Sequence, residues 1–405
     1  MLQGKTVVVG VCGGIAAYKM ANCVSMLKKL HADVHVILTK NACQFIHPIT
    51  FETLTGHKCL VDTFDRQFEF DVAHVSLGKK ADVMLVAPAT ANVIGKMASG
   101  IADDMLTTTA LAMRCRVLVA PAMNTAMYRH PIVQDNLKKL ASFGFGIITP
   151  ATGHLACGDE GEGKLPPEEL LVDYVVQEIA HKKDLLGKKV MVSAGPTIEP
   201  MDPVRFISNH STGKMGYEIA KAAARRGAEV TLVTGRTNLT PPHFVTTIPV
   251  QTAQEMFDVF SRLGAEQDII IKAAAVADYR PKNVASEKMK KKDGDLTVEL
   301  VRNPDIIQYL GEHRRPGQFL CGFSMETEHM LENSRAKLEK KHLDMIVANN
   351  LKQAGAGFGT DTNIVTLITK EGQENLAQMT KAQVADVIFD RILAQQGAME
   401  EAQND

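Results

Sequence analysis

The chain has 405 residues, enough for two or three domains, and its 45 Lys and Arg residues nearly balance its 46 Asp and Glu residues. A net charge of −1 argues against nucleic acid or an anionic membrane surface as a partner, since both attract strongly basic surfaces. Seven scattered cysteines without a Cys-x-x-Cys pair predict a reducing, cytoplasmic location without disulfides or zinc. We expect no signal peptide and no membrane span, because no apolar run approaches about 18 residues.

The first half alternates strand-like and helix-like segments. Predicted strands occupy 5–11, 34–39, 82–87 and 117–120, and predicted helices lie at about 15–30 and 167–180. Nearly continuous apolar strands between helices indicate a parallel sheet that is covered on both faces. Ligands of such sheets bind beyond the carboxyl ends of the strands.

The polar stretch 181–184 is the expected linker, after which the pattern restarts. Predicted strands of the second half lie at 189–194, 229–234, 268–273, 296–301 and 344–348, with a helix at 217–226. The sequence therefore predicts an α/β protein with two Rossmann-like domains, 1–183 and 184–405. Each is expected to be a mostly parallel sheet flanked by helices.

The turn after the first strand, Gly13-Gly14, predicts a phosphate-binding site at a helix start. The same turn without a ligand is an ordinary tight connection. The dinucleotide pattern G-x-G-x-x-G is absent, and Thr39 stands where an NAD enzyme would carry a ribose-binding acid. A mononucleotide such as a flavin phosphate fits better than NAD. Two further strand ends carry small residues, in the loops 88–92 and 121–124.

Three polar side chains of this half are candidates for catalysis. Asn124 offers an amide that donates and accepts hydrogen bonds, and His74 has the proton-transfer group suited to neutral pH. Cys157 lies in 153–163, where four glycines predict a mobile lid able to deliver a thiol proton. A structural histidine and an exposed loop with an incidental cysteine are the alternatives.

The motifs 9–19, 87–92, 121–127 and 156–158 together resemble the flavin-dependent cysteine decarboxylases, above all phosphopantothenoylcysteine decarboxylase of coenzyme A synthesis. The resemblance implies that FMN oxidises the cysteinyl side chain, carbon dioxide leaves, and reduced FMN returns the electrons. His74 would assist the early steps, Asn124 would hold the substrate carboxylate and Cys157 would protonate the enethiolate. The implied FMN contacts are Gly13, Gly14, Ile15, Ala16, Thr39, Pro88, Ala89, Thr90 and Asn92. The sequence departs from the family pattern at Cys12, usually Ser, and at Lys80, often aromatic.

The segment 205–216 of the second half contains Gly213-Lys214 but is not a P-loop, because Ser208 and Met215 replace the required glycine and hydroxyl residue. It remains a polar turn that feeds a helix start. Asp278 follows a predicted strand, and the lysine-rich stretch 288–292 precedes another helix start at 303–306. A cationic loop beside helix starts suits a triphosphate, although a lysine run alone is usually a solvated surface.

These motifs resemble phosphopantothenate–cysteine ligase of the CTP-using bacterial type. The resemblance implies that the carboxylate of 4′-phosphopantothenate attacks CTP to give an acyl cytidylate and pyrophosphate, and that the amine of L-cysteine then displaces CMP. Asn209 would contact this intermediate and Lys288 would serve its formation or breakdown. The implied CTP contacts are Ala273, Ala274, Asp278, Lys288, Pro304, Asp305, Ile306, Ile307, Phe323, Lys337 and Lys341. Mg²⁺ is expected with CTP, but its protein ligands cannot be chosen from the sequence. One departure is Ala348-Asn349-Asn350, where Ala-Asn-Asp is usual.

The two resemblances cover nearly the whole chain, in the order decarboxylase then ligase. They predict a bifunctional flavoprotein of coenzyme A synthesis that forms a large homo-oligomer with flavin sites shared between subunits. A non-catalytic regulatory flavoprotein of the same fold is the alternative, and it would not need Asn209 and Lys288. A two-domain NAD(P) oxidoreductase is disfavoured by the missing fingerprint.

Overall fold

The computed structural model describes residues 1–64, 73–156, 158–290, 296–326, 330–350 and 359–404. The chain divides into two compact units, Met1–Lys182 and Lys183–Asp405.

The first unit is built on a five-stranded sheet in the order β2-β1-β3-β4-β5, with every neighbouring pair parallel. Its strands are β1 (Thr6–Val11), β2 (Asp33–Leu38), β3 (Val83–Ala89), β4 (Arg116–Pro121) and β5 (Gly146–Ile147). A separate antiparallel hairpin pairs β6 (Ala151–His154) with β7 (Glu160–Lys164). Since β1 lies between β2 and β3, the chain reverses its direction of winding at β1, where doubly wound sheets place their ligands.

Helices cover both faces of this sheet. They are α1 (Met20–Lys29), α2 (Pro48–Thr55), α3 (Ala73–Lys80), α4 (Ala91–Ser99), α5 (Met105–Ala112), α6 (Thr125–Arg129), α7 (Pro131–Ser142) and α8 (Glu168–Ile179). Local sequence sets several ends: Thr90 caps α4 and Gly100 closes it in the left-handed conformation. Asp104 and Thr107 form a reciprocal capping box on α5.

The alternation of β1 distributes its side chains between two cores. Val7 and Val9 pack in one apolar cluster, which includes residues of α1 and α8. Val8 packs in the other cluster, with residues of α4, α5 and α7. All six residues of the strand are buried, as a strand covered on both faces requires.

A polar cluster lies at the amino end of β2. The Asp33 carboxylate accepts hydrogen bonds from Lys80 at 2.6 Å, from His57 at 2.7 Å and from His35 at 3.3 Å. The two imidazole rings stack with centroids 4.2 Å apart. Burial alone would raise the pKa of Asp33, but the hydrogen bonds from Lys80 and His57 outweigh it and hold the pKa below its usual range. The Lys80 ammonium thus neutralises this carboxylate directly.

The second unit contains an eight-stranded sheet in the order β12-β11-β8-β13-β16-β17-β19-β20. The sheet strands are β8 (Lys189–Ala194), β11 (Glu229–Thr234), β12 (Thr246–Pro249), β13 (Ile269–Lys272), β16 (Phe319–Glu326), β17 (Met345–Asn350), β19 (Val365–Thr369) and β20 (Gln373–Asn375). Pairing is parallel from β12 to β17 and antiparallel at β17–β19 and β19–β20.

Three small antiparallel pairs accompany this sheet. They join β9 (Ile198–Pro200) to β10 (Phe206–Ser208), β14 (Tyr279–Pro281) to β15 (Leu300–Arg302), and β18 (Thr362–Asn363) to β21 (Met379–Thr380). The helices are α9 (Lys214–Arg225), α10 (Ala253–Leu263), α11 (Ile306–Glu312), α12 (Met330–Lys340) and α13 (Lys381–Asn404). Two apolar clusters lie on opposite sides of the sheet, since Val190 and Val192 belong to one and Met191 to the other.

These two sheets confirm the predicted fold class, α/β with mostly parallel sheets flanked by helices. Among the described residues, no helix combines the length and apolar character that crossing a membrane would need.

Two local predictions differ from the structure, and a third gains structural detail. The predicted helix at 15–30 begins as a 3₁₀ turn, Ile15–Lys19, in which Ala17 N–H bonds to Gly14 O at 2.9 Å. In place of the predicted strand at 296–301 the structure has a short strand, Leu300–Arg302, which pairs with β14 outside the main sheet. The segment predicted to be a lid contains the β6–β7 hairpin: a Cβ at Gly161 would lie 2.7 Å from Thr125 Oγ1, so the absence of a side chain there allows close packing, and its mobility stays a prediction.

Candidate active sites

The candidate flavin residues of the first unit converge on the carboxyl edge of its sheet. The turns after β1, β2, β3 and β4 carry Gly13-Gly14, Thr39, Thr90 and Asn124 respectively. Backbone hydrogen bonds tie these turns together: Thr39 N–H donates to Val11 O at 3.1 Å, and Cys12 N–H donates to Pro88 O at 3.3 Å. The edge is therefore a single preformed surface.

The Gly13-Gly14 turn packs directly on its neighbours. A Cβ at Gly13 would lie 2.8 Å from the Asn41 carbonyl carbon, whereas a Cβ at Gly14 would meet only Thr90 Cγ2, at 3.9 Å. Cys12 is buried beneath the turn, and burial raises the pKa of its thiol to about 12. Cys12 is therefore a neutral thiol at physiological pH, with no charge to repel a phosphate.

The other FMN candidates sit around this turn with different exposure. Pro88 and Ala89 end β3 and are buried, Thr90 begins α4, and Asn92 is exposed in its first turn. Thr39 Oγ1 accepts from Ala42 N–H at 3.2 Å. Ile15 and Ala16 begin the 3₁₀ turn, and Ile15 keeps 59% of its surface exposed, an apolar area beside the site.

Asn124 links the end of β4 to the hairpin. Its Oδ1 accepts from Ala126 N–H at 2.8 Å, capping α6, and its Nδ2 donates to Asp159 at 2.7 Å. Met123 N–H also donates to Gly163 O at 2.9 Å. The hairpin is thus fixed beside Asn124, while Cys157, between its strands, lies outside the described residues.

His74 lies in the first turn of α3 and is half-buried. Lys80 at the other end of α3 pairs with Asp33 at the amino end of β2. Because α3 leads into the amino end of β3, its first turn points toward the carboxyl edge. The assignment of His74 to the site with the other candidates stays a prediction.

In the second unit a cavity of about 940 Å³ opens at the carboxyl edge of the sheet. It is lined by nearly all the candidate ligase residues: Asn209, Ala273, Ala274, Asp278, Pro304, Asp305, Ile306, Ile307, Phe323, Lys337 and Lys341. Lys288 is not part of its lining; it lies exposed in the irregular segment after β14. Lys291 and Lys292, at the end of the lysine-rich stretch, lie outside the described residues.

The loop after β13 forms one wall of the cavity and is fixed by hydrogen bonds from distant residues. Asn209 Nδ2 donates to Ala275 O at 3.0 Å, and Asn303 Nδ2 donates to Ala277 O at 2.8 Å. Ala274 N–H donates to Ser193 Oγ at 3.1 Å. The protein's own hydrogen bonds therefore hold this wall, as preorganised binding requires.

A second wall is the start of α11, where Asp305 caps the helix by accepting from Gln308 N–H at 3.1 Å. Lys341 Nζ lies 2.8 Å from the Asp305 carboxylate. At the other end of α11, a Cβ at Gly311 would lie 2.9 Å from the Lys341 carbonyl carbon, so the helix packs tightly on that backbone. Lys341 thus contacts both ends of α11, through its ammonium group at the start and through its backbone at the end.

The charge of this cavity is dominated by ammonium groups. The lysines that line it are Lys214, Lys272, Lys337, Lys340, Lys341 and Lys381. Burial lowers the pKa of Lys272 to about 8, an effect that nearby Asp305 partly offsets. Such a cavity suits a polyanionic ligand.

The comparisons with known proteins agree on one family. The family model described as "Flavoprotein" matches residues 1–180, and the model described as "DNA/pantothenate metabolism flavoprotein C-terminal domain" matches residues 185–395. The coenzyme A biosynthesis bifunctional protein CoaBC of Bacillus subtilis is 46% identical over 398 residues, covering 97% of this chain and 98% of that protein. The chain belongs to the bifunctional coenzyme A biosynthesis proteins.

This membership confirms the resemblance drawn from the motifs and the identification of a bifunctional enzyme of coenzyme A biosynthesis. The alternatives of a regulatory flavoprotein and an NAD(P)-dependent oxidoreductase are therefore set aside. The Escherichia coli CoaBC protein is 42% identical over 395 residues, with 97% of each chain covered. Among solved structures, the C-terminal domain of a CoaBC protein is 45% identical and covers 53% of this chain and 100% of its own, with a TM-score of 0.46.

Sequence reasoning missed several residues that line the cavity in this bifunctional protein. Lys272 ends β13, and Lys381 begins α13. Asn349 is 6% exposed, and its Oδ1 is buried without a hydrogen-bond partner in the described part of the chain. A buried carbonyl oxygen without a partner favours a ligand that donates to it. Lys272 could have been found from the sequence, because a lysine at the end of a buried strand is unusual. Lys381 could not, because only folding brings it to the cavity.

Proposed function

We propose that the chain makes 4′-phosphopantetheine in two steps, one in each unit. The predicted domain 184–405, which corresponds to the second unit, joins L-cysteine to 4′-phosphopantothenate with CTP through an acyl cytidylate. The predicted domain 1–183, which corresponds to the first unit, then decarboxylates 4′-phosphopantothenoylcysteine with FMN. The observation that carries the proposal is the cationic cavity, because it gathers almost every residue expected to contact CTP beside Asn209.

The flavin site is assigned to the carboxyl edge of the first sheet. Gly14 has open space toward Thr90, and the adjoining strand ends carry small or short side chains, so a planar ring system and its phosphate fit against the backbone. When bound, FMN supplies the electron sink that loss of a carboxylate needs. The chain's own contribution is to hold the substrate: the Asn124 amide is fixed at the edge to bind the carboxylate, and His74 and Cys157 serve as proton carriers.

In the second unit the lysines that line the cavity would neutralise the phosphates of CTP and of the leaving pyrophosphate. Asp278 and Asp305 present carboxylates to the cavity, the donor type that Mg²⁺ uses when substrate phosphates supply its other ligands. Asn209 would contact the acyl cytidylate, and Lys288 would reach it from its exposed segment.

We further propose that the enzyme works in the cytoplasm as a large homo-oligomer. The apolar surfaces of Ile15 and Tyr18, exposed by 59% and 58%, follow directly on the Gly13-Gly14 turn. A second subunit that covers them would complete the flavin site, and small molecules alone would be the substrates.

A one-pot assay with 4′-phosphopantothenate, L-cysteine and CTP tests the proposal by following pyrophosphate and carbon dioxide together. Cys157→Ser is expected to release pyrophosphate but to stop after a single turnover of carbon dioxide, because Cys157 acts after carbon dioxide has left. Lys288→Gln is expected to form no CMP yet to decarboxylate supplied 4′-phosphopantothenoylcysteine. Normal CMP formation by Lys288→Gln would refute the proposed assignment of Lys288, and carbon dioxide release by Cys157→Ser at the wild-type rate would refute that of Cys157.

A further inference from the structure

Lys288 is exposed and lies outside regular secondary structure, so its position depends on how its backbone is held. The turn between β9 and β10 holds it. Ala285 N–H donates to Met201 O at 3.0 Å, and Met289 N–H donates to Asp202 Oδ2 at 3.1 Å. Arg205 Nη2 adds a third hydrogen bond by donating to Met289 O at 2.6 Å. Both backbone groups of the residue after Lys288 are therefore bound by the Asp202–Arg205 pair.

Asp202 is the centre of this arrangement. Its side chain is buried, and its Oδ1 accepts from the N–H groups of Val204 at 2.8 Å and Arg205 at 2.7 Å. Its Oδ2 accepts from Arg205 Nε at 2.9 Å and Nη2 at 2.6 Å, in addition to Met289 N–H. Burial alone would raise the pKa of Asp202, but these hydrogen bonds outweigh it and lower the pKa below its usual range.

The β9–β10 hairpin also leads to the cavity, at the end opposite to the turn that contains Asp202. Strand β10 ends at Ser208, whose Oγ donates to Thr197 O at 2.7 Å, and the next residue is Asn209. Asn209 in turn donates to the loop after β13. The turn that holds the segment of Lys288 is thus separated from Asn209 only by one short strand.

We propose that Asp202 is a positioning residue for ligation: it fixes the segment of Lys288 through the backbone of Met289, together with Arg205. The inference rests on the proposed function of Lys288. A carboxylate is required rather than a side chain of the same shape, because each of its oxygens faces at least two N–H donors. An asparagine in either orientation would turn its NH₂ group against such donors.

The test measures ligation and decarboxylation by the full-length enzyme. Asp202→Asn is expected to lower the kcat of ligation about 10- to 100-fold with little change in KM for CTP, since small displacements of a catalytic group cost rates of this order. Decarboxylation of supplied 4′-phosphopantothenoylcysteine should be unchanged. The control is Glu299→Gln, which removes an exposed carboxylate that pairs with Lys282 at 2.7 Å in the same segment. It should ligate like wild type.

A second pair of variants removes the hydrogen bond at its donor, without changing Asp202. Met289→Pro removes the N–H that donates to Asp202, whereas Met289→Ala keeps it. Only the proline variant should lose ligation, and hydrogen exchange should be faster in its segment 282–290 while the strands β8, β11 and β13 stay protected.

Wild-type kcat in Asp202→Asn, or equal ligation by the two Met289 variants, would overturn the inference. The Lys288→Gln variant separates the two possible failures. If it ligates normally, the proposed role of Lys288 is wrong; if it is inactive while Asp202→Asn is not, only the positioning role is wrong.

Discussion

Alanine in place of Gly13 is expected to weaken flavin binding, because the turn has no room for a side chain. The added Cβ would lie 2.8 Å from the Asn41 carbonyl carbon and 3.0 Å from its oxygen, where ordinary contact begins at 3.4 Å. Both atoms belong to the backbone, so the turn after β1 or the turn after β2 must shift by several tenths of an ångström. Both turns belong to the proposed flavin site.

Overpacking of this kind costs about 1–3 kcal/mol. If the cost falls on the flavin-binding conformation, FMN affinity drops about 5- to 150-fold, since 1.4 kcal/mol corresponds to a factor of ten. Gly14→Ala is the matched variant. Gly14 has φ −144° and ψ 156°, which alanine adopts freely, and its Cβ would meet only Thr90, at 3.9 Å. This variant should keep the thermal stability of the wild type, so any loss of flavin reports contact with the ligand.

The assay titrates FMN into each apoprotein by fluorescence quenching and records thermal unfolding. The ligation rate of the same samples is the internal control and should stay within about twofold of wild type, the expectation for an independent site. Wild-type FMN affinity in Gly13→Ala would refute the packing argument. Undiminished affinity in Gly14→Ala would refute the placement of flavin against this turn.

Three further predictions concern charged groups. Arg226 is 6% exposed and pairs with Asp184 and Asp390 at 2.7 Å, so Arg226→Ala should destabilise the second unit by about 2–4 kcal/mol in urea unfolding; a loss below about 1 kcal/mol would contradict this. Burial and the neighbouring His57 lower the pKa of His35, so the folded protein binds fewer protons than the unfolded chain and loses stability as pH falls below about 6.5. His35→Gln should flatten that fall in the urea midpoint, and an unchanged slope would count against it. Since burial lowers the pKa of Lys272 to about 8, KM for CTP should rise as pH passes this value, and Lys272→Arg, which stays charged, should not show the rise.

The sequence predicted the features that depend on local pattern. Buried strands such as Thr6–Val11 are continuous apolar runs, and the glycine turn at Gly13-Gly14 follows directly, so both are visible in a short window. The order of such strands along the chain was enough to place most of the candidate residues, though not Lys288, at one edge of each sheet, because parallel strands share their carboxyl ends.

What the sequence did not predict depends on contacts between distant residues. Asp202 and Met289 are 87 positions apart, and no local pattern relates them. Lys381, at the start of α13, lines the cavity only because the final helix packs on α9. Composition likewise predicts a mobile glycine-rich segment at 153–163 but not its partner, since Gly161 packs against Thr125.

The seating of α11 on Lys341 has a consequence for nucleotide binding. The Asp305 carboxylate, which caps the helix, pairs with the Lys341 side chain, and Gly311 packs on the Lys341 backbone. The first turn of α11 and Lys341 should therefore move together. A side chain at position 311 would displace the Lys341 backbone and with it the ammonium group that pairs with Asp305. If the proposed CTP site is correct, such a change would alter the fit of the nucleotide without replacing any of its own contacts.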